Sequence, residues 1–75
     1  MTTLDWHVAR RIKGKRIALG LAETDLAAVL GVGYDTILAY ERGMEPVPPE
    51  HLKRLGEYFG VPLQYFLPSA PLHQV

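Results

Sequence analysis

The chain is short and its charges balance, which limits both its core and its chemistry. Its 75 residues, 48% apolar and 21% charged, are enough for one small domain. It contains no cysteine, so disulfides and thiolate metal ligands are excluded. No apolar run reaches the roughly 18 residues of a membrane span, and the first residues lack the basic and apolar regions of a signal peptide. We therefore expect a cytoplasmic protein with no membrane partner.

The zero net charge hides an uneven distribution along the chain. Residues 1–20 carry five cations against one anion, whereas residues 21–50 carry one cation, Arg42, against six carboxylates. Residues 51–75 carry a net charge of +1. A domain that binds duplex DNA usually has an excess of Lys and Arg, because neutralising phosphates supplies most of its non-specific affinity. The acidic middle therefore counts against a simple phosphate-binding role for that part of the chain.

The first predicted helix begins at a Thr2-x-x-Asp5 sequence typical of a capping box and ends near Leu19, before Gly20. Spacings of four, three and four residues predict its buried side, which consists of Val8, Ile12, Lys15 and Leu19. At roughly 100° per residue, Arg10 and Lys13 lie on the opposite side. The basic run is thus a cluster in the sequence rather than one stripe in space.

Two short helices joined by a glycine turn are predicted next, over about Glu23–Leu30 and Tyr34–Glu41. Gly31 stands where a helix end favours a residue that accepts positive φ, and Gly43 closes the second helix in the same way. The predicted buried residues are Leu26, Ala27 and Leu30 in the first helix and Thr36, Ile37 and Tyr40 in the second. Two helices in this arrangement form a helix-turn-helix unit, whose second helix can lie in the major groove of DNA.

The C-terminal part is predicted to hold two more helices. Prolines 46, 48 and 49 exclude a helix before Pro49, which is itself a good first helical residue. The fourth helix then runs to Gly60 and buries Leu52, Leu55, Tyr58 and Phe59. A fifth short helix is predicted over Leu63–Leu67, and residues 68–75 are predicted to be a mobile tail. The apolar residues of 61–67 exceed what so small a domain can bury, which favours a homodimer.

These residues resemble the Cro/repressor-like (XRE-type) family of phage and bacterial transcriptional regulators, over Val8 to about Leu67. The motif that carries the resemblance is Leu26-Ala27-x-x-Leu30-Gly31-Val32-x-x-x-Thr36-Ile37-x-x-Tyr40-Glu41-x-Gly43. The resemblance implies an all-α, five-helix, lambda-repressor-like DNA-binding domain over residues 1–67. It also implies a homodimer on double-stranded DNA, acting at the nucleoid.

The resemblance assigns roles to individual positions. Those expected to meet base edges are Gly33, Tyr34, Asp35, Thr36 and Ala39. Those expected to lie near phosphates are Lys15, Arg16, Glu23, Arg42 and Met44. Arg16 is also expected to pair with Glu41 between helices 1 and 3, a structural role that we favour over direct DNA contact.

Several positions depart from what tight DNA binding requires. Glu23 stands where the family commonly presents a neutral side chain to a phosphate, and it suits the helix dipole better than it suits DNA. Among the base-edge positions there is no Arg, Lys, Asn or Gln to form the strong bidentate pairs with guanine or adenine. Asp35 can equally be a residue that complements the helix dipole, and Tyr34 an exposed aromatic residue. The alternative function is therefore a protein-interaction module that binds another regulator or RNA polymerase.

Enzymatic and cofactor-dependent functions find no support in the sequence. The three histidines match no metal-ligand spacing, and no nucleophile is paired with a base in a known motif. The Gly31-Val32-Gly33 segment lacks the strand and the third glycine of a dinucleotide-binding loop. We expect no catalytic residues, no metal and no cofactor.

Overall fold

The computed structural model describes residues 3–68, with side chains from Trp6 onward. Within this range the chain forms four α-helices followed by a single 3₁₀ turn, and no strand. The elements are α1 (Thr3–Ala18), α2 (Glu23–Leu30), α3 (Tyr34–Glu41), α4 (Pro49–Phe59) and the 3₁₀ turn (Leu63–Phe66). The prediction of an all-helical domain is confirmed, and the bounds of α2 and α3 match the predicted ones.

The core takes one fully buried side chain from each element. These side chains are Ile12 of α1, Leu26 of α2, Ile37 of α3, Leu55 of α4 and Phe66 of the 3₁₀ turn. Because no element is longer than 16 residues, none can bury its apolar side alone, and the fold depends on all five meeting at one centre.

The predicted buried side of α1 is partly wrong. Leu19 is exposed because α1 ends at Ala18, so helical spacing no longer applies one residue later. Lys15 is only half-buried, and Arg16 instead occupies the buried position one turn after Ile12. Ala9, which the spacing did not select, is fully buried.

Helix α4 differs from its prediction at one residue. Leu52, Leu55 and Phe59 are buried as expected, but Tyr58 is exposed and lies beside the ring of Phe59. Gly56 occupies the buried side in its place. A Cβ at Gly56 would lie 3.0 Å from the carbonyl oxygen of Val61, so glycine lets the chain after α4 fold back closely against the helix.

The predicted fifth helix is wrong in kind. Leu63–Phe66 forms one 3₁₀ turn, which begins after Pro62 and ends before Leu67. The five residues between Pro62 and Pro68 leave no room for a second turn, since Pro68 restricts the residue before it. The short turn still performs the packing expected of the helix, because Phe66 is fully buried.

Two predictions concern segments outside the described residues. The Thr2-x-x-Asp5 capping box involves one such residue and one described only by its backbone. The proposed tail lies outside the description from residue 69 onward.

Candidate nucleic-acid interface

The joint between α2 and α3 follows from local backbone chemistry. Gly31 has a φ of 68°, a left-handed conformation that costs glycine little, and it ends α2. The N–H of Val32 then donates to the carbonyl oxygen of Ala27 at 3.0 Å, the backbone bond typical of a Schellman helix end. Gly33 is extended and opens α3 directly. The two helices are therefore joined by a turn of three residues.

The start of α2 is stabilised by a carboxylate. Oδ2 of Asp25 accepts a hydrogen bond of 2.8 Å from the backbone N–H of Ala22, which is half of a capping box. Ala22 itself has no side-chain acceptor to offer. Asp25 and Glu23 both complement the positive end of the α2 dipole, so the acidic first turn suits the helix.

The orientation of α3 is held by a buried ion pair with α1. Arg16 donates from Nε to Oε2 of Glu41 at 2.7 Å and from Nη2 to Oε1 at 3.0 Å, while both residues are only 7% exposed. This bidentate geometry is the strongest that a guanidinium and a carboxylate can adopt. The hydrogen bond that Arg16 donates to Glu41 raises the pKa of Arg16, although burial opposes this shift.

Two further groups complete the surroundings of Arg16. Its Nη1 donates to the carbonyl oxygen of Leu21 at 3.0 Å, and the Oε2 of Glu23 lies 3.5 Å from Nη2. Arg16 thus joins the end of α1, the start of α2 and the end of α3. Its hydrogen-bonding capacity is largely used inside the domain, so the geometry favours the structural role over phosphate binding.

A second polar link fixes α3 against α4. The hydroxyl of buried Tyr40 forms a hydrogen bond of 2.9 Å with Nδ1 of His51, and the two rings meet edge-on. Burial raises the pKa of Tyr40, and the charge of Glu45 adds to the effect. The sequence pattern placed Tyr40 in the core but gave no signal for its partner, because a spacing of 11 residues between helices corresponds to no motif.

The residues predicted to meet base edges lie together on the start and outer side of α3. Gly33, Tyr34 and Asp35 are exposed, whereas Thr36 and Ala39 are half-buried. Ile37 and Tyr40 point to the core from the opposite side. The first turn of α3 is therefore the part of the helix that a ligand can reach.

The residues predicted to lie near phosphates do not form one surface. Arg42 and Met44 are exposed at the end of α3, and Glu23 is half-buried beside Arg16. Lys15 lies with its Nζ 5.5 Å from the centroid of the Tyr65 ring. The lysine is thus associated with the 3₁₀ turn.

Tyr65 has a second cationic neighbour that sequence analysis did not select. The guanidinium carbon of Arg11 lies 5.0 Å from the centroid of its ring, within the range of a cation–π contact. Arg11, Lys15 and Tyr65 fasten the 3₁₀ turn to α1. The spacing of four residues from Arg11 to Lys15, about one helical turn, is the only sequence signal for this contact, and it does not indicate the aromatic partner.

Other classes of site find little support in the described part of the chain. Among those residues no group of three potential metal ligands comes together. None of the helices described is long and apolar enough to cross a membrane.

The fold and the α2–turn–α3 geometry define a helix-turn-helix domain. A family model described as "Helix-turn-helix" matches residues 12–66. The chain belongs to the helix-turn-helix family, which confirms the resemblance that the motif indicated.

Curated relatives carry names of the same kind. An HTH-type transcriptional regulator of Sinorhizobium medicae is 32% identical over 68 residues, which cover 91% of this chain and 49% of the relative. A transcriptional regulator in the ATPase CF(0) region of Rhodospirillum rubrum is 35% identical over 63 residues, 84% of this chain and 58% of that protein. The cryptic phage CTXphi transcriptional repressor RstR of Vibrio cholerae is 34% identical over 53 residues, 71% of this chain and 48% of the repressor. The chain therefore spans about half the length of these relatives.

Proposed function

We propose that the chain is the DNA-binding domain of a transcriptional regulator that places α3 in the major groove of double-stranded DNA. The observation that carries this proposal is the exposed first turn of α3, held in a helix-turn-helix frame by the Arg16–Glu41 pair. The ion pair fixes the C-terminal end of α3, and the short turn after α2 fixes its N-terminal end, so the first turn of α3 has a defined orientation. Such a regulator acts in the bacterial cytoplasm, where the chromosome lies.

The chemistry of that turn limits how bases can be recognised. Asp35, when ionised, can only accept hydrogen bonds, so it suits the amino group of cytosine and opposes bases that present acceptors. Ala39 can pack on the methyl group of thymine, and Tyr34 offers a hydroxyl or a ring face. Specificity on this surface therefore depends on one carboxylate and on shape.

Selection of preferred sites from random duplex DNA tests this assignment. The wild type should enrich a defined site, and Asp35→Asn should change the preferred base at one position, because an amide also donates. Glu57→Gln, which removes the same charge from an exposed position on α4, is the matched control and should enrich the wild-type site. Identical sites from wild type and Asp35→Asn would contradict the role of Asp35. The absence of any enriched site would contradict the proposed function itself.

We further propose that the domain binds DNA as a homodimer. The two copies would meet through a C-terminal surface of Tyr58, Leu63 and Leu67. Leu63 is 45% and Leu67 37% exposed, although Phe66 between them is buried. A two-fold dimer would place two α3 helices roughly 34 Å apart, one turn of DNA. In sedimentation experiments the wild type should dimerise, Leu63→Glu should remain monomeric, and the equally exposed Leu19→Glu should behave as the wild type. A monomeric wild type at high micromolar concentration would contradict the dimer.

A second candidate function is a protein-interaction module for another regulator or RNA polymerase, with little affinity for DNA. It is favoured by the charge around the motif, since Arg42 is the only Lys or Arg between residues 17 and 52. The salt dependence of duplex binding separates the two functions. With few cations available, the slope of log affinity against log salt should be shallow, about 2–4 per protomer at roughly 0.9 per phosphate contact. No measurable duplex binding at low salt would favour the interaction module.

A further inference from the structure

We propose that the outer face of α1 is a docking surface for an acidic, partly apolar segment of a partner protein. This α1 outer face consists of Trp6, Arg10, Lys13, Gly14 and Ile17. Their spacing of four, three, one and three residues places them on one side of the helix, and all five are exposed. The surface lies on a different helix from the proposed DNA-contacting turn of α3, so the two proposals can fail separately.

The face has apolar ends that nothing in the described chain covers. Trp6 is 49% and Ile17 58% exposed, with the two residues three helical turns apart. Two shallow grooves run along the face and share Trp6, Arg10 and Gly14. Tryptophan and arginine are among the residues that most often dominate the energy of protein interfaces.

Gly14 lies at the centre of this face without a structural reason inside the domain. Glycine in the middle of a helix is destabilising relative to alanine. A Cβ at this position would meet no heavy atom within 4 Å, so packing among the described residues does not require glycine here. A partner helix or strand that approaches the α1 backbone closely would require it.

The charges indicate the chemistry of the partner. Arg10 and Lys13 lie on the face and Arg11 beside it, while Glu41, which borders one groove, is already paired with Arg16. Arg10, Arg11 and Lys13 can each donate hydrogen bonds to carboxylates.

Other occupants fit this pattern less well. A second copy related by a two-fold axis would bring the basic faces of two α1 helices together, which is repulsive. Residues 69–75 of this chain contain no Asp or Glu. Duplex DNA would satisfy the cations but would offer no apolar surface to both Trp6 and Ile17. An acidic amphipathic segment satisfies the cations and the apolar ends together.

The test is an NMR titration of the isotope-labelled chain with a synthetic helical peptide of Glu, Leu and Ala. The amides of residues 6–17 should shift and saturate, and a matched peptide with Gln in place of Glu should bind at least about tenfold more weakly. Arg10→Glu should weaken binding by a similar factor, whereas Arg54→Glu, the same charge change on exposed α4, should leave the affinity unchanged.

Gly14→Leu separates docking from folding. The new side chain should weaken peptide binding by about tenfold or more by filling the point of closest approach. It should also raise the thermal unfolding midpoint, because leucine is a better helix former than glycine. Equal affinity of the Glu and Gln peptides, or an unchanged affinity of Gly14→Leu, would overturn the proposal. Displacement of the peptide by mixed-sequence duplex from the same amides, or shifts that depend on protein concentration without peptide, would also overturn it in favour of nucleic acid or a second copy.

Discussion

Removal of the Glu41 carboxylate should cost the domain a large part of its stability. Arg16 is only 7% exposed in the wild type, and Glu41→Ala removes its hydrogen bonds of 2.7 and 3.0 Å. Breaking a buried ion pair from one side typically costs about 3–5 kcal/mol, because a charge is left without compensation. Here the carbonyl of Leu21 and the carboxylate of Glu23 remain beside the guanidinium. We therefore expect a smaller loss than this range, about 2–3 kcal/mol.

Urea unfolding of four proteins measures this effect and its origin. The wild type, Glu41→Ala, Arg16→Met and the double variant Arg16→Met/Glu41→Leu form the series. Replacing both partners with apolar residues of similar volume should be much less costly than either single change, since no buried charge remains. A domain of this length has a stability of only about 4–11 kcal/mol, at roughly 0.05–0.15 kcal/mol per residue. A loss of the expected size is therefore easily measured.

Two outcomes would refute this account of the ion pair. Glu41→Ala within a few tenths of a kcal/mol of the wild type would mean that Arg16 does not depend on its partner. A double variant as unstable as the sum of the single variants would mean that the two side chains act independently. The predicted coupling between α1 and α3 would then have to be assigned to apolar packing.

Three further predictions concern the caps, the α3–α4 link and the α2 terminus. Gly31→Ala should lower the free energy of unfolding by about 1 kcal/mol in thermal or urea unfolding, because a φ of 68° strains any residue with a Cβ. Ala28→Gly, at an exposed position inside α2, makes the reverse exchange in helical backbone and serves as the comparison. Tyr40→Phe should lose about 1 kcal/mol at neutral pH with the bond to His51. Because burial raises the pKa of Tyr40 above its ordinary value, the stabilisation is full below about pH 10 and is lost as the pH rises through the pKa of the folded protein. The unfolding free energies of wild type and Tyr40→Phe should therefore converge at high pH, and a difference that stays constant would contradict the assignment. Glu23→Gln should tighten binding to any duplex by about 0.5–1 kcal/mol at low salt and less at high salt, and an unchanged affinity would show that the α2 terminus does not face DNA.

The local elements were predictable because their signals are local. Gly31 and the spacing of Leu26, Leu30 and Ile37 specify two short helices and the turn between them, and the structure has the same bounds. The end of α1 was less predictable, since periodicity gives the side on which a residue lies but not whether the helix continues to it. Leu19 was misplaced for that reason.

Contacts between distant elements depended on resemblance or were missed. Arg16 and Glu41 are 25 residues apart, and only the resembled family indicated that they pair. The carboxylate of Glu23 beside the same arginine and the bond between Tyr40 and His51 depend on the angles at which helices pack, which no single sequence pattern encodes. The roles of the α3 residues toward bases stay predictions, because exposure of Gly33, Tyr34 and Asp35 shows that they can be reached but not what they bind.

The arrangement around Arg16 also changes the meaning of the acidic charge near the motif. In the sequence, Glu23 stands at the start of α2 where it would repel a phosphate, and Arg16 is expected to pair with Glu41. In the structure Glu23 and Arg16 face each other at 3.5 Å, with Glu41 on the same guanidinium, so one cation is shared between two carboxylates. Part of the local excess of negative charge therefore compensates the charge of a buried arginine that joins three helices. Arg42 remains the exposed cation of this region, so under the proposed function we expect DNA affinity to depend on the first turn of α3 and on the proposed dimer more than on phosphate attraction.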